Sequence, residues 1–110
     1  MDGNFLALLQ RGKALNSKVF SLVRLELLSS LSALGHDGAT YRELKAALSL
    51  TDGALFTNLK ALESAGYASK QEVTVEGKKL DSYRITPEGK AEWEKVRQWL
   101  NELTGGDGNG

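Results

Sequence analysis

Residues 40–67 decide the fold of this chain and read TYRELKAALSLTDGALFTNLKALESAGY. Thr40 and Glu43 have the spacing of a capping box, in which each side chain accepts a hydrogen bond from the other residue's backbone amide. The apolar residues predicted to face inward on this first helix are Leu44, Ala47 and Leu48. Ser49 and Leu50 form a short link to a second helix. Two helices joined in this way are typical of a helix-turn-helix, although any pair of packed helices gives the same pattern.

The second helix is predicted over residues 51–65. Thr51 is a suitable N-cap, and Gly66 suits the left-handed position that follows a helix. One apolar stripe at helical spacing, predicted to pack inward, consists of Leu55, Leu59 and Leu62. The opposite face is mostly small or hydrogen-bonding, as a helix that reads base edges in a major groove requires, and consists of Gly53, Ala54, Phe56, Thr57, Asn58 and Lys60.

The composition limits the class of protein. A chain of 110 residues has room for one domain with one core, which we place in residues 1–104, before a tail at 105–110 that is expected to be disordered. The 14 basic and 14 acidic residues balance, so any nucleic-acid contact must come from a local patch. The absence of cysteine excludes disulfides and thiolate metal sites. Without a signal peptide or a membrane-length apolar stretch, we expect a cytoplasmic protein with no membrane partner.

The first part of the chain is predicted to be helical. A short apolar helix is expected over residues 4–14, with Phe5 and Leu9 on its apolar side. A longer helix, capped by Asn16 or Ser17, is predicted to end at Gly35, and its core-facing residues are Phe20, Val23, Leu27, Leu28, Leu31 and Leu34. The basic residues that lie in this region without an intervening acid are Arg11, Lys13, Lys18 and Arg24. They form either a solvated helix face or an edge that contacts phosphates.

Two strands are predicted after the second helix, over residues 67–75 and 80–85, from their β-branched and alternating residues. The connection 76–79 contains a glycine and would close a β-hairpin whose tip carries Lys78 and Lys79. Basic residues on such a hairpin contact phosphates or the minor groove when the preceding helix lies in the major groove. The alternative is an ordinary solubilising tip.

The last helix is predicted over residues 87–104, with Thr86 as its N-cap and Pro87 in the first helical position. A 3-4-3 apolar spacing, typical of a coiled-coil seam, with one further tryptophan beside it, gives Trp93, Val96, Leu100, Leu103 and Trp99. These residues can pack on the segment 5–9 within one chain, but two tryptophans add more apolar area than so small a core needs. We therefore expect these residues and the 4–14 segment to form a homodimer interface.

The sequence resembles a known family in the order of its elements and in two motifs. LKALESAGY at 59–67, followed by YRITPEG at 83–89, is similar to the short single-domain kind of MarR/ArsR-like winged-helix transcriptional regulators. The resemblance implies a mainly α fold with a small β-hairpin, in which the helix 51–65 enters the major groove of double-stranded DNA. It also implies that the hairpin 68–85 is the wing and that N- and C-terminal helices form a homodimer.

Carried over by position, the resemblance implies two sets of DNA contacts. The readout residues would be Gly53, Ala54, Phe56, Thr57, Asn58 and Lys60, and the wing contacts would be Lys78, Lys79 and Arg84. We predict Thr57 and Asn58 nearest the bases and Lys60 on the phosphate backbone. Where relatives carry a serine and an arginine or histidine, this chain has Phe56 and Thr57, so its base contacts are poorer in hydrogen bonds. Phe56 would either meet thymine methyl groups or be half-buried.

The residues favour a DNA-binding transcriptional regulator over an enzyme. No glycine-rich phosphate loop is present, and no nucleophile–base pair surrounds His36, the one histidine, which we interpret as a surface residue. No metal or cofactor is predicted, and an unidentified small-molecule effector is left open. The alternative is a winged-helix protein–protein interaction module without DNA binding. A continuous positive band over the helix 51–65, the wing and the helix that ends at Gly35 would favour DNA, whereas charges in alternation would favour the module.

Overall fold

A computed structural model describes residues 21–105 of the chain. Its elements, in chain order, are α1 (Leu22–Leu34), β1 (Ala39–Thr40), α2 (Tyr41–Leu48), α3 (Asp52–Ser64), β2 (Ala68–Val75), β3 (Lys78–Ile85) and α4 (Pro87–Leu103). A single 3-10 turn, Gly35–Asp37, connects α1 to β1. The predictions that lie outside the described residues concern the 4–14 helix with Phe5 and Leu9, the core position Phe20, the basic residues Arg11, Lys13 and Lys18, and the tail beyond Gly105. The mainly helical fold with a small antiparallel sheet is the predicted one.

Helix α1 begins later than predicted. Ser21 has extended backbone angles (φ −136°, ψ 155°), and its hydroxyl accepts a hydrogen bond from the Arg24 amide at 3.2 Å, so Ser21 is the N-cap instead of Asn16 or Ser17. The apolar spacing of the sequence continues across Ser21, so periodicity alone could not predict that the helix begins at Leu22. The helix ends at Gly35 as predicted. Leu27, Leu28 and Leu31 are fully buried, but Leu34 is 44% exposed in the last turn instead of facing the core.

The helix-turn-helix is held by the predicted caps. Thr40 accepts a hydrogen bond from the Glu43 amide at 3.2 Å, while the Glu43 carboxylate accepts one from the Thr40 amide at 2.8 Å. Thr51 accepts from the Ala54 amide at 3.1 Å and caps α3. Ser49 adopts the left-handed conformation, with φ of 53°, which lets the chain turn between the helices. The sequence signals at both helix starts are confirmed.

Two contacts across the turn fix α2 against α3. The Tyr41 hydroxyl donates to the Asp52 carbonyl oxygen at 3.1 Å, and the Lys45 ammonium lies 3.0 Å from the Asp52 carboxylate. The side chains that are at most 2% exposed, and that form the centre of the core, are Leu27, Leu28, Leu31, Leu44, Leu55, Leu59, Leu62 and Val96. Ala47 was predicted to face inward but is exposed. The buried leucines of α2 and α3 determine which face of each helix is exposed.

The sheet has three antiparallel strands in the order β1-β3-β2. The short strand β1 was not predicted, and its Ala39 lies opposite Tyr83. Strands β2 and β3 meet in a two-residue turn, Glu76 and Gly77, whose φ angles of 51° and 79° are those of a type I′ hairpin. Lys78 is therefore the first residue of β3, directly after the turn, and not part of a four-residue loop as predicted.

The start of α4 is attached closely to the end of α3. Thr86 caps α4 by accepting from the Gly89 amide at 2.9 Å, and its hydroxyl donates to the Gly66 carbonyl oxygen at 2.6 Å. The Thr86 amide donates to the Tyr67 carbonyl oxygen at 3.1 Å. Gly89 packs so closely that an added Cβ would overlap the same carbonyl oxygen. These contacts join the end of the helix-turn-helix, the root of the hairpin and the last helix at one point.

The apolar seam of α4 mostly belongs to the core of the single chain. Val96 is fully buried, and Trp99 is only 9% exposed. Trp93 and Leu100 are partly buried and pack against the core, and Leu103 is partly buried near the helix end. Val96 was assigned to a dimer interface, but it has no exposed surface for a second chain. A helix that packs on its own domain and a coiled coil share the same 3-4 spacing, so the sequence could not separate them.

Candidate nucleic-acid interface

Helix α3 turns outward one face that is small or polar except at Phe56. Leu55, Leu59 and Leu62 are at most 2% exposed, which fixes the rotation of the helix about its axis. The exposed residues on the outer side are Gly53, Phe56, Thr57, Lys60 and Ser64. Their spacing of three and four residues places them on one side of the helix, which we call the outer face of α3. The outer face contains four of the six predicted readout residues.

The other two predicted readout residues, Ala54 and Asn58, are partly buried. The Asn58 amide nitrogen donates to the Ala54 carbonyl oxygen at 2.7 Å, one turn earlier in the same helix. The Asn58 amide oxygen accepts from Nε of Arg24 on α1 at 3.0 Å. Asn58 therefore connects α3 to α1. The prediction of Asn58 as a base reader assumed a free amide, whereas both ends of this amide are hydrogen-bonded within the chain.

Arg24 was predicted only as part of a basic stretch, and its hydrogen bond to Asn58 was not predicted. Its guanidinium holds the amide of Asn58 from a neighbouring helix. A weak signal did exist, because asparagine inside a helix is unfavourable unless its side chain bonds locally, often to the carbonyl four residues earlier. That signal identifies a structural asparagine, but it does not identify the arginine partner.

Phe56 is the large apolar residue on the outer face. Its side chain is 60% exposed, so it is not the half-buried residue that was one of the two alternatives. Gly53 lies one turn before it, and an added Cβ there would meet nothing within 4 Å. The packing of the core therefore requires neither the phenylalanine ring at position 56 nor the glycine at position 53.

The wing, defined here as β2, the Glu76-Gly77 turn and β3, carries exposed lysines next to its tip. Lys78 and Lys79 are exposed, and the Lys79 ammonium lies 4.0 Å from the Glu72 carboxylate. An ion pair as exposed as this one contributes little to stability and leaves Lys79 available to another anion. The charged residues that are exposed on the wing are Lys70, Glu72, Glu76, Lys78, Lys79 and Asp81. The two signs are interspersed and do not form the continuous positive band that would have favoured DNA most clearly.

Arg84 lies at the root of the wing, away from its tip. It is six residues from Lys78 on the same strand, which is about 20 Å of extended chain. The Arg84 guanidinium donates to the Gln71 side-chain oxygen at 2.9 Å and lies 3.4 and 3.5 Å from the two ring nitrogens of His36. Nearly equal distances to both ring nitrogens indicate that the guanidinium packs against the imidazole. The structure thus separates Arg84 from the two wing lysines with which it was predicted to act.

An open groove of about 480 Å³ lies beside Arg84, between the root of the wing and the start of α4. The residues that line it are Gly35, His36, Ser69, Arg84, Ile85, Thr86, Pro87 and Lys90. Arg84 and Lys90 make its lining cationic. Further along α4, Arg97 pairs with Glu94 at 3.0 Å, and this hydrogen bond lowers the pKa of the Glu94 carboxyl.

Residues 21–105 contain neither a membrane-spanning helix nor a cluster of metal ligands. No helix in this part of the chain is long and apolar enough to cross a membrane. Within the same residues, no three histidine, cysteine, aspartate or glutamate side chains cluster in a way that could hold a metal ion.

Comparison with solved structures supports the same architecture. A transcriptional regulator homologue from Pyrococcus horikoshii OT3 superposes with a TM-score of 0.72 at 21% identity, over 81% of this chain and 86% of the other. The S. aureus MepR mutant bound to an oligodeoxyribonucleotide gives 0.68 at 16% identity, over 94% and 80%. A PadR-like transcription factor from Bacteroides fragilis gives 0.60 at 16% identity, over 92% of both chains. At these identities, the likeness shows the fold.

Comparison of sequences gives the family. No curated protein matches the chain significantly. The family model described as a winged helix DNA-binding domain matches residues 23–104, which is most of the chain and includes α2, α3, the wing and α4. Together with the fold shared with the structures above, this match supports a DNA-binding domain. The chain therefore belongs to the family of winged helix DNA-binding domains.

Proposed function

We propose that this chain regulates transcription by binding double-stranded DNA sequence-specifically as a homodimer, with α3 in the major groove and the wing on the backbone or in the minor groove. The observation that carries the proposal is the outer face of α3, which is exposed while the leucine stripe behind it is buried. A helix-turn-helix supplies base contacts from such a face. The MepR mutant, which shares the fold, was solved with an oligodeoxyribonucleotide.

The phosphate contacts are assigned to exposed lysines. Lys60 is on the outer face of α3, and Lys78 and Lys79 follow the wing turn. Each phosphate that a lysine neutralises releases counterions and steepens the dependence of binding on salt. Phosphate contacts position the protein and carry no base information, so the sequence preference is left to other residues of the outer face, above all Phe56 and Thr57.

The interspersed charges of the wing favour a second candidate function, a protein–protein interaction module without DNA binding. Glu72, Glu76 and Asp81 lie among the wing lysines, and the exposed Asp52 begins α3. Such a surface attracts DNA less strongly than a single-signed one. The ion pair with Lys45 neutralises the charge of Asp52 beside the outer face of α3. We therefore favour DNA binding over the interaction module.

The homodimer and the effector are parts of the proposal. Leu103 and the exposed parts of Trp93 and Leu100 are the predicted interface residues of α4 that remain available to a second chain. Sedimentation at micromolar concentration tests the dimer, and a monomer there contradicts it. The groove at the root of the wing, with Arg84 and Lys90, suits an anionic effector.

The test of DNA binding is fluorescence anisotropy with duplex DNA from upstream of the protein's own gene, over a salt series. Replacing Lys78 and Lys79 together with alanine is expected to reduce the log–log salt slope by roughly 2, because two phosphate contacts are lost. The matched control is Lys95→Ala, since Lys95 is on α4 and pairs with Glu92 at 3.1 Å. An unchanged slope removes the wing from the DNA interface. Absence of binding at every salt concentration favours the interaction module.

A further inference from the structure

We propose that Phe56 determines the sequence preference of this chain by contacting the C5-methyl groups of thymines in the major groove. The inference rests on the proposed DNA-binding function and names the chemical class of site: a duplex that presents pyrimidine methyl groups to α3. Hydrogen bonds from a side-chain amide then have a secondary part in the readout.

The first observation is the placement of Phe56. It is 60% exposed, while Leu55 and Leu59, its neighbours on the buried side of α3, are at most 2% exposed. Among residues 21–105, the large apolar side chains that are most exposed are Leu22, Leu34, Phe56 and Val75, and Phe56 is the one aromatic ring of this set. A ring in this position contributes little to the core. Its apolar surface is available to a partner that docks on the outer face.

The second observation is that the amide of Asn58 is already used. Both ends of the amide are hydrogen-bonded, one to Ala54 at 2.7 Å and the other to Arg24 at 3.0 Å. Bidentate pairing with adenine would have to use the second N–H and the second oxygen lone pair of an amide whose orientation these two bonds already fix. Thr57 is then the remaining exposed hydroxyl next to Phe56, and one hydroxyl discriminates poorly between bases. Most of the discrimination must therefore come from shape and apolar contact.

The third observation concerns Gly53. Glycine costs about 1 kcal/mol relative to alanine in a helix interior, and Gly53 lies in the first turn of α3, where an added Cβ would meet nothing within 4 Å. Its φ is also not in the left-handed region that only glycine adopts easily. Neither packing nor backbone conformation within the chain explains the glycine. Its missing side chain leaves open space one turn before Phe56, where the edge of a base pair can approach the helix.

The chemistry identifies thymine. Of the four bases, thymine alone presents an apolar group in the major groove, its C5-methyl, and apolar side chains including phenylalanine contact it. Removing one methyl group from such a contact is expected to weaken binding about fourfold, since the apolar area buried by one methylene-sized group corresponds to that factor. Uracil pairs as thymine does and lacks only this methyl group.

The experiment compares two versions of one duplex, made with thymine or with uracil, after selection of that duplex from a random pool by the full chain. Wild type is expected to bind the uracil duplex about fourfold more weakly for each contacted methyl that is lost. Phe56→Ala is expected to bind both versions equally and to keep the wild-type salt slope. The control is Leu34→Ala, which removes an apolar side chain that is 44% exposed at the end of α1 and is not part of the outer face of α3.

Three results overturn the inference. Equal wild-type affinity for both duplexes, with salt-dependent binding preserved, refutes the methyl contact but leaves the DNA-binding function standing. A Phe56→Ala variant that still discriminates against uracil assigns the contact to another residue, or to a change in the shape of the DNA. Failure of wild type to select or bind any duplex removes the DNA-binding function itself, and the inference with it.

Discussion

Replacing Asn58 with alanine removes two hydrogen bonds that hold α3, and we expect it to lower the free energy of unfolding by about 1.5 kcal/mol. The bond to the Ala54 carbonyl oxygen is a neutral one at 2.7 Å and contributes about 1 kcal/mol. The bond from Arg24 at 3.0 Å involves a charge but is only partly buried, so solvent screening reduces its contribution to about 1 kcal/mol. Alanine returns about 0.5 kcal/mol through its higher helix propensity.

Urea unfolding followed by circular dichroism measures this change as a shift of the midpoint of about 1 M. The matched control is Thr57→Ala, because Thr57 is the neighbouring position on the same helix and is exposed. We expect the control to stay within about 0.5 kcal/mol of wild type. A double-mutant cycle with Arg24→Ala should give a coupling of about 1 kcal/mol and separates this contact from the other interactions of Arg24. If Asn58→Ala is no more destabilising than Thr57→Ala, the connection between α1 and α3 is not a structural one, and Asn58 returns to the candidate base readers.

Three further outcomes are expected. Gly89→Ala should destabilise the chain by more than about 2 kcal/mol, because its Cβ would overlap the Tyr67 carbonyl oxygen, and thermal unfolding without a loss of stability contradicts this packing. Glu76→Asn should stabilise the wing by about 0.5–1 kcal/mol, since asparagine tolerates the left-handed conformation that Glu76 adopts at φ of 51°; an unchanged urea midpoint rejects the turn assignment. Burial raises the pKa of Tyr83 above its ordinary value of 10.0, so the folded state keeps a proton that the unfolded state loses, and stability should fall as pH rises above about 10. Tyr83→Phe should remove this part of the alkaline decline, and equal declines in the two proteins contradict it.

The parts of the fold that could be predicted from sequence are those that depend on residues close together in the chain. The Thr40–Glu43 capping box and the α3 leucine stripe act over three to seven positions, and both are confirmed. Strand β1 depends instead on pairing with Tyr83, 44 residues later, and two residues carry no pattern of their own.

The candidate site divides in the same way. The exposure of Phe56 and Lys60 follows from the helical spacing of the leucines behind them, which the sequence shows directly. The engagement of Asn58 depends on Arg24, and the distance of Arg84 from the wing tip depends on the strand register. Both are properties of contacts between separate elements, and no local pattern contains them.

The attachment of α4 at Thr86 couples the orientation of the last helix to that of α3 and the root of the wing. Thr86 bonds to Gly66 and Tyr67 at the end of α3, and Gly89 leaves no space for sliding at the same point. The 17 residues of α4 extend about 25 Å from this point of attachment. A small tilt of the α4 axis would therefore turn α3 and the wing root together. In an assembly of two chains joined through their α4 helices, the separation of the two α3 helices along DNA is then fixed by the angle at which the α4 helices cross. A mutation far from any base that changes this angle would alter which half-site spacing is bound.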